Sequence, residues 1–272
     1  MAVSKIQWTD ATWNIARGCK KVDSDCKYCY MYRDSMNGTR YEPKEIKRTK
    51  TVFDFPLKYT ETYSKSWAGG KPLIFTSSLT DVFLPEIDSY RNEMWDIIRK
   101  CPHLIFQILT KRPERIQECL PHDWNDGWDN VWLGTSVGSN ESIQRIKDLV
   151  LKVDAKVKFL SLEPMHSQID LNEITVKTKI GELYVIPGID WVIVGGESGH
   201  DTGKYRYREC KLEWIEKVVK DCEANQIPVF VKQLGTHLSK QLKLKDRHGG
   251  DIEEFPQHLR IRNFPNLNKT TV

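Results

Sequence analysis

Three cysteines lie within eleven residues near the amino terminus, at Cys19, Cys26 and Cys29. Cysteine thiolates are common protein ligands of iron–sulfur clusters and of zinc. Three thiolates leave a four-iron cluster one protein ligand short, and the open iron is then available to a substrate or cofactor. The spacing therefore predicts a 4Fe–4S cluster in which these cysteines hold three irons and the fourth iron is open.

Zinc is the alternative metal, and a structural zinc site needs a fourth protein ligand. The sequence offers no histidine near the three cysteines, and Asp23 and Asp25 inside the loop are unusual zinc ligands. Tyr28, directly before the last cysteine, is placed to shield a cluster from water. The other cysteines are scattered, and we predict buried thiols at Cys101, Cys119, Cys210 and Cys222.

Short apolar runs alternate with helical patterns along the chain. Near-continuous apolar runs are typical of parallel strands that are covered on both faces. Seven such runs are predicted as strands, at 13–16, 72–77, 104–109, 131–135, 157–162, 191–194 and 228–232. Apolar residues at helical spacing predict helices at 89–100, 140–150 and 212–224.

Strands that alternate with helices predict βαβ units and a parallel sheet, and hence an α/β fold class. With seven strands and no convincing eighth, a partial (β/α) TIM-type barrel is the leading interpretation. An open doubly wound sheet is the alternative, but no glycine-rich phosphate fingerprint follows the first strand. We predict a barrel domain over residues 1–236 and a polar carboxyl-terminal appendage over residues 237–272.

Barrel enzymes carry their chemistry at the carboxyl ends of the strands. Each predicted strand ends in polar, charged or glycine-rich residues, which predicts a functional rim that also includes Lys111, Arg112, Lys232 and Gln233. The candidate cofactor contacts on this rim are Ser77, Ser78, Asp81, Thr135, Ser136, Glu163, Gly195, Gly196 and Glu197.

Two parts of this rim have competing interpretations. The two glycines before Glu197 either form a tight turn or let a ligand approach the backbone closely. Glu163 is either a salt-bridge partner of Lys111 or Arg112, or a ligand contact. The sequence leaves both alternatives open.

The 272-residue chain has a net charge of +4, from 41 basic and 37 acidic residues, which is too small to establish nucleic-acid binding. Its basic clusters, at 44–50 and 240–247, are either solvated surface or a rim that faces phosphates. No apolar run approaches the roughly 20 residues that span a bilayer, and the amino terminus lacks an apolar signal segment. These features predict a cytoplasmic protein with no membrane partner.

A three-cysteine loop after the first strand of a partial barrel resembles the radical S-adenosylmethionine (SAM) superfamily. That superfamily uses Cys-x3-Cys-x2-Cys with an aromatic residue before the last cysteine. This chain keeps Cys26-x2-Cys29 and Tyr28 but widens the first gap to six residues. Segments 5–14, 18–19, 26–30, 160–164, 190–199 and 231–235 resemble a phage-associated family of unknown function, Gp37/Gp68 (DUF5131), over about residues 5–236.

The resemblance implies that the open iron binds the amino and carboxylate groups of SAM. One electron from the reduced cluster then cleaves SAM to methionine and a 5′-deoxyadenosyl radical, which abstracts a substrate hydrogen. In the superfamily a Gly-Gly-Glu motif after the second strand holds the SAM amino group. This chain has Thr76-Ser77-Ser78 at that position, so this contact does not carry over directly.

Three functions compete at this point. The first is a radical SAM enzyme with an electron donor as partner and an unknown substrate, for which a nucleotide or nucleic acid is one interpretation. The second is a barrel hydrolase in which Glu163 and Glu197 act as an acid and nucleophile pair. The third is a zinc-stabilised nucleic-acid-binding accessory protein. The sequence identifies no catalytic residue.

Overall fold

The computed structural model of the chain describes residues 4–32, 42–68, 70–179, 181–203 and 206–267. It divides into two compact units. The first unit comprises Met1–Thr135 with Lys152–Lys156, and the second comprises Ser136–Leu151 with Val157–Val272. The fold class is mixed α/β with parallel strands in both units, as the sequence predicts.

The first unit is built on four parallel strands, which lie side by side in the order β1 (Ala11–Trp13), β4 (Leu73–Thr76), β5 (Ile105–Thr110) and β6 (Val131–Ser136). Leu73 of β4 lies opposite Ile105 of β5, and Phe106 of β5 lies opposite Val131 of β6. Almost every residue of these strands is buried, which is why the sequence shows continuous apolar runs rather than alternation.

The first predicted strand, at 13–16, is wrong in its bounds. β1 ends at Trp13, and a separate antiparallel ribbon pairs β2 (Ala16–Arg17) with β3 (Lys47–Arg48). The chain leaves the sheet here because the carbonyl oxygen of Ile15 accepts hydrogen bonds from the backbone and hydroxyl of Thr49. A contact between residues 34 positions apart is invisible to a count of apolar residues along the chain.

Two helices belong to the first unit, α1 (Asp88–Arg99) and α2 (Ile116–Cys119). The predicted helix at 89–100 is confirmed as α1, which buries Met94, Trp95 and Ile98. The acidic residue in its first turn and the basic residue in its last turn interact favourably with the helix dipole. The indole of Trp95 packs on the rings of two further tryptophans, with ring centroids 5.8 Å away in each pair.

The second unit has three parallel strands in the order β7-β10-β11. They are β7 (Val157–Leu162), β10 (Trp191–Gly195) and β11 (Val229–Gln233), and they confirm three predicted strands to within one residue. A hairpin that the sequence analysis missed joins β8 (Thr175–Thr178) to β9 (Gly181–Tyr184). The helices are α3 (Gln144–Lys152), α4 (Leu212–Ala224) and α5 (Gly235–Gln241).

The carboxyl-terminal residues of the second unit pack against its own strands. Phe264 stacks on Trp191 with ring centroids 5.4 Å apart, and the carbonyl of Ile261 accepts a hydrogen bond from the backbone of Val231. Leu259 is fully buried. The domain boundary at residue 236 stays a prediction, although α5 begins one residue before that boundary and continues past it. Among the described residues, no helix is both long and apolar enough to cross a bilayer.

Cys210 and Cys222 predict a loss of stability in alkali. Burial raises the pKa of each thiol to about 12, and neighbouring carboxylates raise it further. The unfolded chain releases these protons above about pH 8.5, whereas the folded chain keeps them up to about pH 12. Between these pH values the free energy of unfolding therefore falls by up to about 1.4 kcal/mol per pH unit for each thiol. Urea unfolding at a series of alkaline pH values measures this slope. The double variant Cys210→Ala, Cys222→Ala is expected to make this slope shallower, and an unchanged slope would contradict this explanation.

Candidate functional site

The loop of the first unit that carries the three cysteines is shaped by a capped turn. The backbone makes a 3-10 turn over Ser24–Cys26, and the Asp23 carboxylate accepts a hydrogen bond from the Asp25 backbone at 3.0 Å. The backbone N–H of Cys29 then donates to the carbonyl of Cys26 at 3.4 Å. The segment that contains Cys26 and Cys29 thus forms consecutive turns, and Asp23 caps the first of them.

Cys19 is positioned by a close approach of two backbone segments. Gly18 lies in the left-handed region at φ +95°, and a Cβ there would be 2.2 Å from the carbonyl oxygen of Glu45. Only glycine fits this approach without strain. The next residue, Cys19, donates its backbone N–H to the carbonyl of Pro43 at 2.9 Å. The chain therefore fixes the backbone of Cys19 on both sides.

The thiol of Cys19 is influenced electrostatically by its buried surroundings and by the other two cysteines. Burial raises the pKa of Cys19 to about 12, and Asp81 adds to this effect. The thiols of Cys26 and Cys29 raise it further, whereas the positive charge of Arg112 lowers it. All three cysteines are free thiols. Together these influences favour the protonated thiol of Cys19, whereas a metal binds the thiolate, so metal binding there would have to displace the proton.

Asp81 and Arg112 form a buried ion pair at the carboxyl ends of β4 and β5. Arg112 Nη1 lies 3.0 Å from Asp81 Oδ2, and the hydroxyl of Thr110 donates to Asp81 Oδ1 at 2.7 Å. The backbones of Phe83 and Lys111 donate to the same carboxylate. Asp81 was predicted as a cofactor contact, and the structure shows its oxygens engaged with neighbours of its own chain.

The ion pair also holds the cysteine loop. Arg112 Nη2 donates to the carbonyl of Lys20 at 2.7 Å, which is the residue directly after Cys19. The hydroxyl of Tyr32 donates to the carbonyl of Cys19, and the hydroxyl of Tyr30 donates to the carbonyl of Ser78. These bonds place the loop beside the carboxyl ends of β4 and β5, as the predicted rim requires for this unit.

Among the predicted cofactor contacts, Ser77 is the one whose side chain is best able to form a further hydrogen bond. It directly follows β4, takes the left-handed φ of 68°, and donates its backbone N–H to the carbonyl of Trp13. Its buried hydroxyl has no hydrogen-bond partner in the described part of the chain, and the hydroxyl of Thr80 shares this property. Buried polar groups without partners are rare and mark sites where a ligand or water completes the bonding.

Two other predicted contacts of the first unit already have partners. The hydroxyl of Ser78 and the side-chain amide of Asn14 hydrogen-bond each other, at 3.1 Å and 3.3 Å in the two directions. The hydroxyl of Thr135 donates to the carbonyl of Thr110 at 3.0 Å, which ties β6 to β5. These residues stabilise the strand ends.

In the second unit, Glu163 has a partner that the sequence analysis did not assign to it. Its carboxylate is 2.5 Å from Lys232 Nζ, and both side chains are largely buried. Arg112, one of the two predicted partners, pairs with Asp81 in the first unit. The backbone carbonyl of Glu163 accepts a bond from Ser136 at 3.5 Å.

The Gly195-Gly196-Glu197 segment is engaged with its own unit. A Cβ on Gly195 would be 2.7 Å from the carbonyl oxygen of Gln233, and one on Gly196 would be 2.2 Å from that of Leu234. The close approach that the sequence suggested is thus made by the protein backbone. Glu197 is buried and accepts two hydrogen bonds from the guanidinium of Arg208, at 2.8 Å and 2.9 Å.

The arrangement of the three cysteine side chains bears on how they could bind a metal. Within the described ranges, no group of three or more His, Cys, Asp or Glu side chains is arranged to hold a metal ion. The three thiols are therefore near one another without converging at metal-ligand distances. Binding of a cluster would require the thiols to turn towards a common centre and Cys19 to lose its proton.

Asn14 and Arg208 are the structural residues that the sequence analysis missed. Asn14 follows β1 directly, so its position at a strand end was a usable signal. Arg208 lies 11 residues beyond Glu197 in a loop, and no periodic pattern identifies such a partner.

Comparison with known proteins identifies a family, and the description of that family names no activity. The model of the family described as "Protein of unknown function (DUF5131)" matches residues 3–258. No curated protein and no solved structure matches the chain.

Proposed function

Because the chain belongs to the DUF5131 family, whose description names no activity, we propose its function from its own residues. We propose a radical SAM-type enzyme with a 4Fe–4S cluster held by Cys19, Cys26 and Cys29. The observation that carries the proposal is the group of three free thiols on one loop, in which Cys19 is within electrostatic reach of the other two thiols and of Arg112. The proposed architecture for the parallel strands is the partial (β/α) barrel of that superfamily.

Each residue near the loop has a role in this proposal. The three cysteines are the cluster ligands, and Arg112 offsets the negative charge of the thiolates. Asp81 is a positioning residue, since it orients Arg112, which in turn holds the backbone between Cys19 and Lys21. When bound, the cluster supplies one electron that splits SAM into methionine and a radical able to take a hydrogen atom from the substrate.

Ser77 is the leading SAM contact in this proposal. Its hydroxyl is buried and unpartnered within the described chain, at the end of the strand that the cysteine loop contacts through Tyr30. A hydroxyl can accept from an ammonium group or donate to a carboxylate, and SAM carries both. The other predicted contacts would have to give up protein partners first.

The compartment and partners follow from the same chemistry. Seven free cysteines suit a reducing compartment, so we place the chain in the cytoplasm. The proposed partners are SAM and a protein or small molecule that donates single electrons.

Anaerobic reconstitution tests this proposal. The full chain is incubated with iron and sulfide, and bound iron, zinc and 5′-deoxyadenosine formed from SAM under dithionite are measured. We expect about four irons per chain and SAM cleavage that needs reductant. Stoichiometric zinc with no bound iron would support the zinc-stabilised protein instead. Iron bound without any SAM cleavage would also contradict the proposal.

A further inference from the structure

The positive charge of this chain is concentrated around the cysteine loop. Over residues 14–32 and 42–50 there are eight basic and four acidic residues, an excess equal to the net charge of the whole chain. All eight basic residues are exposed, whereas Asp25 is buried. We call these eight residues the basic face: Arg17, Lys20, Lys21, Lys27, Lys44, Lys47, Arg48 and Lys50.

The β2–β3 ribbon sets like charges against each other. Arg17 of β2 lies directly opposite Lys47 of β3, and residues that pair across antiparallel strands share a face. Like charges in this arrangement destabilise the ribbon. The phosphate groups of a polyanion bound across the face would attract both cations and so offset the repulsion between them.

Only part of the basic face is neutralised by the protein. Lys20, Lys47 and Arg48 each form an ion pair, with Glu86, Glu45 and Glu93 respectively. Within the described ranges, Arg17, Lys44 and Lys50 have no carboxylate or hydrogen-bond partner for their side chains. These three cations are available to phosphate groups.

An aromatic side chain lies beside the same loop. Tyr30 follows Cys29 directly, and 42% of its surface is exposed although its hydroxyl is anchored on the carbonyl of Ser78. A fixed ring with an open surface offers a stacking platform for a base. Phosphate-binding cations next to such a platform are the combination that proteins use for single-stranded nucleic acid.

We infer that the basic face binds single-stranded DNA or RNA and holds it next to the cysteine loop. This inference rests on the proposed function, because it places a nucleic-acid substrate beside the proposed cluster. A single strand fits better than a duplex, since bases and sugars in a stacked duplex are shielded from chemistry unless they are extruded.

Fluorescence anisotropy of labelled single-stranded DNA and RNA oligonucleotides, titrated with the full chain over a range of salt concentrations, tests the inference. The variant Arg17→Gln, Lys44→Gln, Lys50→Gln removes three cations that the protein does not pair. We expect binding to weaken at least about tenfold, and the slope of log K against log salt to become shallower by about 2, at about 0.7 per lost phosphate contact. The matched control is Lys177→Gln, Lys179→Gln, Lys220→Gln, three exposed lysines of the second unit, and it should bind like the parent.

Several results would overturn the inference: equal binding by the parent and the basic-face variant, equal loss in the control variant, or tighter binding to duplex than to single strands. Binding to phosphatidylserine vesicles without oligonucleotide binding would also overturn it. The assay is run with and without reconstituted iron. Oligonucleotide binding without SAM cleavage would refute the enzyme proposal alone, and SAM cleavage without oligonucleotide binding would refute this inference alone.

Discussion

Replacing Cys19, Cys26 and Cys29 together by alanine is expected to remove bound iron and reduce SAM cleavage to the level seen without protein. Each single alanine variant should lose most of both, because a four-iron cluster with two protein ligands is poorly held. Iron per chain and 5′-deoxyadenosine formation under dithionite measure the effect. Circular dichroism of the apo-protein establishes that the variant is folded.

The double variant Cys101→Ala, Cys119→Ala is the matched control for this experiment. Both thiols are buried in the same unit but lie far along the chain from the cysteine loop, so neither belongs to the proposed ligand set. The control should retain iron and SAM cleavage. If the triple variant cleaves SAM as well as the control does, the cysteine loop has no part in the chemistry.

Asp81→Ala is expected to lower the free energy of unfolding by about 3–5 kcal/mol, since it leaves the buried charge of Arg112 unpaired. The variant also strips hydrogen bonds from Thr110 and from two backbone N–H groups. Because Arg112 holds the carbonyl of Lys20, iron incorporation by the remaining folded protein should fall as well. Urea unfolding and iron analysis of the refolded protein measure these two effects.

Asp96→Ala provides the comparison for Asp81→Ala. Asp96 also pairs with an arginine, Arg99, but both side chains are exposed and Arg99 keeps Asp123 as a second partner. Exposed ion pairs contribute little to stability, so this variant should unfold almost like the parent. Equal losses in the two variants would show that burial of the Asp81–Arg112 pair is not the cause.

The sequence predicted the parallel strands well because their cause is local. A strand covered on both faces must be apolar along its length, and its polar end marks where it leaves the sheet. The β2–β3 ribbon has two residues in each strand, which is too short for any periodicity. The β8–β9 hairpin is mostly exposed, so it lacks the apolar signal that reveals a buried strand.

The site was predictable as a set of residues and less so as a set of contacts. Cys19, Asp81 and Arg112 were all identified from residue type and position at strand ends. The pairing of Glu163 with Lys232 depends on β10 lying between their two strands, and lateral strand order does not follow from local sequence. The unpartnered hydroxyl of Ser77 likewise depends on packing that only the folded chain defines.

The central claim is that three thiols hold an iron cluster with one iron left open for SAM. Electron paramagnetic resonance of the reconstituted, reduced protein with and without SAM tests it most directly. The account predicts a cluster signal that changes when SAM is added, because SAM becomes a ligand of the open iron. A protein with no cluster signal, or with a signal that SAM leaves unchanged, would contradict it.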